Sequence, residues 1–489
     1  MTMLLLGAFI SSMICLLSHI PTAFAFGLQN YPNLFFDAST IVNNEWFNGI
    51  DSRWAKEMSE YWAQTLIQYG PWSVTNKSIT AKSGDIKDYL SWAIYHWPDC
   101  SNVRNTTELT QEEVWNECRY VSRDGLMNPD AGLIKDKEAL QNMSNSIYLS
   151  AMAYLHTGDS RYTTHINHAL HTFFINNETR MNPNLNYAQA IRGPGDQMGA
   201  HTGVLDLACM AKIVSGVQVM RSIKPAEWQQ ETETGMMQWA SEQLDWLYTS
   251  KQGLAELSSI KWAILFAYDI TCTDQSFSNH GTFAVNQVCA LNVLLNQNDA
   301  CATALEKFYN GIYLYQIDAN GDQPLESART RPYHYRAFNL MALVTNAQFG
   351  DFVGLSPSAW ERRSAANTTI VDAVHYAMLQ NYTTSNESNQ RKSLNPVVAV
   401  ISAKYGDPDN KYANFLKSTD PYFPGQPWFA LNEGLSNAGI KQGLLETTYG
   451  PVPPQPTLGA VSPDDLKYRK RRDWEPRGIG WPKAAPRAP

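Results

Sequence analysis

The stretch "WAKEMSEYWAQTL", Trp54–Leu66, decides the fold. Trp54, Met58, Trp62 and Leu66 recur every fourth residue, which puts them on one side of a helix. Similar faces run through Lys137–His156, His201–Met220, Ala226–Tyr248, Phe283–Leu295, Ala302–Tyr315 and Tyr335–Phe349, while strand-like alternation is scarce. Turns and long Asn/Pro/Gly-rich loops separate these segments, the longest being "MNPNLNYAQAIRGPGDQMG", Met181–Gly199. Successive helical hairpins with such loops predict an all-α fold, an (α/α)n toroid whose rim loops form a cleft.

Residues 1–25 carry no Lys, Arg, Asp or Glu and end in Ala23-Phe24-Ala25, which reads as a secretory signal, with a membrane anchor as the alternative because no basic residue precedes the apolar stretch. The toroid is expected over 26–450 and a Pro-rich basic tail over 451–489. The reading is of a secreted, extracellular monomer. No second segment looks long and apolar enough to cross a bilayer. Without the signal six cysteines remain, Cys100, Cys118, Cys209, Cys272, Cys289 and Cys301, and Cys100 with Cys118 is the favoured disulfide because both lie in a polar, loop-like stretch. Sequons at Asn76, Asn105, Asn142, Asn177, Asn367, Asn381 and Asn386 are consistent with an exported glycoprotein. The net charge is −8, and the tail from Val461 holds eight Lys/Arg against four Asp/Glu, so the body is near −12. A body of that sign has no broad field for nucleic acid, and an anionic substrate needs a local basic cleft.

"SNHGTF", Ser278–Phe283, opens a long apolar run and reads either as a helix start or as a site built on one. Four further stretches mix aromatics, amides and charges: "DYLSWAIYHWPD" (88–99), "CRYVSRDGLMNPD" (118–130), the Met181–Gly199 loop and "PLESARTRPYHYRAFNL" (324–340). Flat rings against sugar faces and planar donors on hydroxyls and carboxylates suit a carbohydrate groove. Tyr95, Trp97, Arg123, Tyr187, Gln189 and His334 are the candidate substrate contacts. "HINHALH" spaces His165, His168 and His171 without completing a ligand set, so it is read as a solvated helix face, and "DANGDQPLE" as a turn rather than a calcium loop. No metal site is expected.

Taken in order, "DYLSWAIYHWPD", "YVSRDGLMNPD", "MNPNLNYAQ", "SNHGTF" and "ARTRPYHYRAFNL" resemble the alginate lyase-like polysaccharide lyases, families five and thirty-eight, over roughly residues 85–350. The resemblance implies an α/α toroid that cleaves polyuronates by β-elimination without a cofactor. It also implies that Asn279, His280, Arg329 and Tyr335 hold the catalytic positions. Ser278 stands where family five has a second Asn, and "GPGDQMGAH" where it has an Arg-containing turn, which favours family thirty-eight.

The chemistry asks for the same residue types. β-Elimination of a 4-linked uronate removes the C5 proton, stabilises charge on the carboxylate and protonates the departing O4. Arg329 and the Asn279 amide can neutralise the carboxylate. Pro332 can open a helix that carries Tyr335 in its first turn, with Arg329 in the loop before it. Arg329 is then a cation able to favour tyrosinate, and His280 at a helix start is favoured as neutral imidazole. Two alternatives stand beside this reading: a toroid glycoside hydrolase using Asp124, Asp130, Asp274 or Glu326, and a secreted glycan-binding protein without activity.

Overall fold

The computed structural model describes residues 28, 31–42, 45–48, 52–103, 108–262 and 278–432. The expected signal at 1–25, the tail at 451–489, Cys272, Asp274 and the sequon at Asn105 lie outside them.

Twelve helices carry the described body: α1 Arg53–Tyr69, α2 Asp136–Thr157, α3 Ser160–Leu170, α4 Met210–Ile223, α5 Gln230–Thr249, α6 Lys251–Trp262, α7 Asn279–Leu294, α8 Asn298–Tyr309, α9 Pro332–Phe352, α10 Ile370–Leu379, α11 Asn395–Tyr405 and α12 Lys411–Thr419. Helices α1, α2, α4, α7, α9 and α11 pack on one another in that order. Helix α3 lies against α2, α8 against α7, α10 against α9 and α12 against α11, so four of the six inner helices are followed by an outer one packed on them. The 3₁₀ turn Pro427–Leu431 touches both α11 and α1, which closes the succession into a ring. The predicted toroid is what forms.

An inner helix is covered on every side, so its sequence should be apolar all round rather than striped. Every residue of α7 is buried. The same property corrects the membrane reading: His201–Ile223 is long and apolar enough to cross a bilayer by composition, yet 89% of that window is buried inside the body. In α1 the deepest side chains are Ala55, Ser59 and Ala63 rather than the predicted stripe, because small residues let α2 approach closely while Trp62 and Leu66 pack along the flank.

Helical periodicity missed four short strands, β1 Leu90–Trp92, β2 His96–Asp99, β3 Arg119–Ser122 and β4 Tyr187–Ala190. The pair β1 and β4 is parallel, β2 and β3 antiparallel. Segments of three or four residues are too short to display a period of two, although these ladders carry the loops of the site.

Cys100–Cys118 is bonded as expected, and Cys289–Cys301 links α7 to α8. Cys209 is a buried free thiol whose pKa burial raises. "HINHALH" is not a solvated face: His168 is exposed, but His165 is buried, its pKa lowered to about 4 by burial and then by His168. An unfolded chain protonates this imidazole near the ordinary ~6.5, so below that value it binds a proton that the folded chain refuses. The neutral His165 therefore favours folding above about pH 6.5 and loses that advantage as pH falls towards about 4. A His165→Leu variant should lose less melting temperature between pH 7 and 4.5 than the native chain; equal slopes would show that other groups titrate.

Candidate active site

The start of α9 is set by Pro332 at its first position, with the Arg331 side chain forming no cap. Glu387 takes that role from 54 residues away, one carboxylate oxygen accepting from the Tyr333 N–H and the other from the His334 N–H, both at 3.0 Å. A carboxylate there also meets the positive end of the helix dipole. The register is thereby fixed: Tyr333 is buried and donates to the Arg391 carbonyl, His334 faces Gln390 at 3.2 Å, and Tyr335 turns to Arg329. His334 is held neutral, its pKa lowered to about 4 by burial and then by Arg331. Its ring stacks on Phe338, so it braces α9.

Arg329 lies in the short bend between Pro324–Ser327 and α9. Its Nη2 donates to the Tyr335 hydroxyl at 2.9 Å and to Asp124 Oδ1 at 2.8 Å, with the guanidinium 4.0 Å from the Tyr335 ring centre. The Tyr335 hydroxyl also lies 3.1 Å from that of Tyr95. Burial raises the Tyr335 pKa well above its ordinary value and the Tyr95 bond raises it further, while Arg329 pulls the other way. The expectation that Arg329 favours tyrosinate is thus corrected: desolvation outweighs one partly exposed cation, and the resting group is a phenol.

Asp124 reaches Arg329 because Gly125 follows it with φ +78°, a conformation open to glycine, and a Cβ there would sit 2.5 Å from Thr330 Oγ1. Arg123 donates its N–H to the Tyr95 carbonyl at 2.7 Å, and its guanidinium lies 5.7 Å from the Trp97 ring centre. Tyr95, Trp97 and Arg123 therefore form one wall, next to Asp124. Gln189 and Tyr187 sit on β4. Gln189 has φ 49° and its amide is engaged internally, donating to the Thr202 carbonyl at 3.0 Å and accepting from the Thr202 hydroxyl at 2.9 Å, so it shapes the backbone rather than offering a free donor. Tyr187 packs on the small cluster around Leu90 and Trp92.

The "SNHGTF" segment is both a helix start and part of this cluster. The Ser278 side chain does not cap α7; Glu326 does, Oε1 accepting from the Asn279 N–H and Oε2 from Asn279 Nδ2, each at 2.7 Å. Burial raises the Glu326 pKa, opposed by the Asn279 bonds and by the His280 and Arg329 charges, so this side chain stands between the two halves of the site. The Phe283 and Phe338 rings, 4.3 Å apart, pack α7 against α9 just behind. Asn279 is left with one amide hydrogen and a buried Oδ1 that has no partner among the described residues.

His280 and His201 both turn Nδ1 to Glu256 Oε1, at 3.3 and 2.5 Å. Burial would raise the Glu256 pKa, but the bonds from His201 and His280 outweigh it and hold the carboxyl below its ordinary range. An ionised Glu256 accepts only, so the neutral form of each imidazole carries its proton on Nδ1 and has Nε2 as its acceptor. Sequence reasoning missed Glu256, His201 and Glu387, and saw no ligand cluster where Glu256 and His201 converge with His280.

Arginine, tyrosine, histidine and amide side chains thus gather near the starts of two inner helices of an α/α toroid. The alginate lyase family profile matches residues 73–389, and the chain belongs to that family; it is a polysaccharide lyase. An alginate lyase from Bacteroides ovatus is similar in fold, with 21% identity, 81% of this chain and 96% of that one covered, and a TM-score of 0.66. Alginate lyase A1-III from Sphingomonas species A1 is a fainter likeness at 12% identity, 80% and 99% coverage and a TM-score of 0.40. Among curated proteins none matches the chain.

Family membership displaces the hydrolase and non-catalytic alternatives, and the geometry agrees. Asp124 is paired with Arg329, Asp130 with Arg192 at 2.9 Å, and Glu326 is buried against Asn279. None is left as a free partner for paired-carboxylate hydrolysis among the described residues.

Proposed function

We propose that this enzyme is exported and cleaves a 1,4-linked polyuronate, of alginate or glucuronan type, by β-elimination, and that within the family it stands with polysaccharide lyases of family thirty-eight. The observation that carries the reading is the contact of Arg329 with the Tyr335 hydroxyl, 2.9 Å, in a site that also holds Asn279 and His280. Arg329 and the remaining Asn279 amide hydrogen neutralise the substrate carboxylate, which lowers the barrier to losing the C5 proton. Tyr335, protonated at rest, delivers a proton to O4. On β-D-mannuronate or β-D-glucuronate, where H5 and O4 lie syn, the deprotonated fraction of Tyr335 takes the C5 proton and then hands that same proton to O4. On α-L-guluronate they lie anti, and His280 takes it through Nε2 from the opposite face.

Products decide the matter. A lyase leaves an ultraviolet-absorbing 4,5-unsaturated uronate at each new end, and a saturated end or an intact polymer would defeat the proposal. Two conditions follow. Turnover should survive a chelator, because the carboxylate is neutralised by side chains; loss on chelation with recovery on one added cation would refute this. On syn-configured substrates kcat/KM should climb with pH, by up to about tenfold per unit in the neutral range, because a base of raised pKa works through its deprotonated fraction. A flat profile would assign the base elsewhere.

A further inference from the structure

His201, Glu256 and His280 come from three separate elements, the 3₁₀ turn His201–Leu207, α6 and α7, yet one ligating atom of each lies within 4.8 Å of the others. We propose that these three side chains form a binding site for a divalent transition-metal cation of the zinc type, and that occupancy inhibits the enzyme. Two imidazoles and a carboxylate are a donor set that zinc takes with a fourth position left to water.

Two of the three donor spacings are already close to those of a metal site, and the third lies within 4.8 Å. Metal bonds of ~2.0–2.1 Å at tetrahedral angles put neighbouring donors about 3.3 Å apart. The Glu256 Oε1 to His280 Nδ1 distance is already 3.3 Å. The Glu256 to His201 distance, 2.5 Å, is a hydrogen bond that must open by less than ~1 Å on those bond lengths. His201 is the most exposed of the three, with 42% of its side chain accessible, whereas Glu256 is fully buried and His280 nearly so, so the movement falls to His201. The exposed imidazole also gives a cation its way in. Binding requires each ring to shift its proton from Nδ1 to Nε2, with no net proton released.

That shift is why occupancy inhibits, a step that rests on the proposed role of His280 as a base. With Nδ1 on the metal, Nε2 carries the hydrogen and can accept no other. The site is thus antagonistic to turnover and consistent with activity in a chelator.

The test uses the full-length enzyme freed of metal. Zn²⁺ binding is measured by calorimetry and Co²⁺ binding by its visible spectrum, beside turnover on guluronate-rich polymer. The expected result is one ion per chain, a tetrahedral cobalt spectrum, and inhibition reversed by chelator. Measured against its own metal-free turnover, His201→Ala should need at least about ten times more Zn²⁺ for half-inhibition, the order of loss seen when a metal site loses supporting contacts. No stoichiometric binding, or equal inhibition of both proteins, would overturn the site. Binding that His201→Ala removes, without inhibition of the native enzyme, would uphold the site and instead sink the role given to His280. Turnover that depends on added Zn²⁺ would overturn the inhibitory assignment.

Discussion

Tyr335→Phe is expected to leave polymer binding and the fold intact while lowering kcat by ~10²–10⁴-fold, roughly 3–5 kcal/mol of transition-state stabilisation. The ring is buried and stays, so the packing of α9 is unchanged. The hydroxyl is what disappears, and it is the atom that Arg329 and Tyr95 both touch. Arg329 keeps its bond to Asp124 and is not stranded. Kinetics combined with calorimetric titration of an oligouronate decide the outcome. Retention of more than about a tenth of native turnover, well above the range for a lost proton donor, would move the acid to Tyr95. Tyr333 and His334 are not the alternatives, since their side chains are turned to the Arg391 carbonyl and to Gln390.

His280→Ala should separate substrates by stereochemistry, provided the native enzyme accepts both kinds. Cleavage at guluronate needs a base on the face opposite the departing oxygen, so its loss should approach the ~10²–10⁴-fold of a missing general base. Cleavage at mannuronate, where Tyr335 serves both steps, should fall much less. Equal losses on polyguluronate and polymannuronate would assign His280 to positioning, alongside Asn279 and its Glu326 brace.

The sequence was most informative where chemistry and local geometry coincide. Pro332 three residues before Tyr335 announced a helix start, and the structure has Pro332 at the first position of α9. Cys100 and Cys118 were legible because both lie in one short polar stretch. The supports were not legible, because each depends on a partner far along the chain: Glu387 on α9 from 54 residues away, Glu326 on Asn279 from 47, Asp124 on Arg329 from 205. Two of those three carboxylates had been candidates for hydrolysis, since a lone Asp or Glu in a sequence looks alike whether it attacks a substrate or caps a helix. His165 differs from its sequence reading for a related reason: three histidines in one short run look alike, and only packing separates the buried His165 from the exposed His168.

The ion pair between Asp124 and Arg329 implies an exchange reaction at the mouth of the site. In the substrate-free enzyme the guanidinium already holds one carboxylate. An arriving uronate offers a second, so one anion can replace another and Arg329 is never left without a counter-charge. Because the resident pair is partly exposed, at 22% and 38%, breaking it costs on the order of 0–1 kcal/mol. A neutral hexose, or a uronate whose acid is esterified, brings nothing to exchange and leaves Asp124 in place. Selection for charge would then come from refusal of uncharged sugars rather than from attraction of charged ones, a device suited to a body whose net charge repels its own substrate.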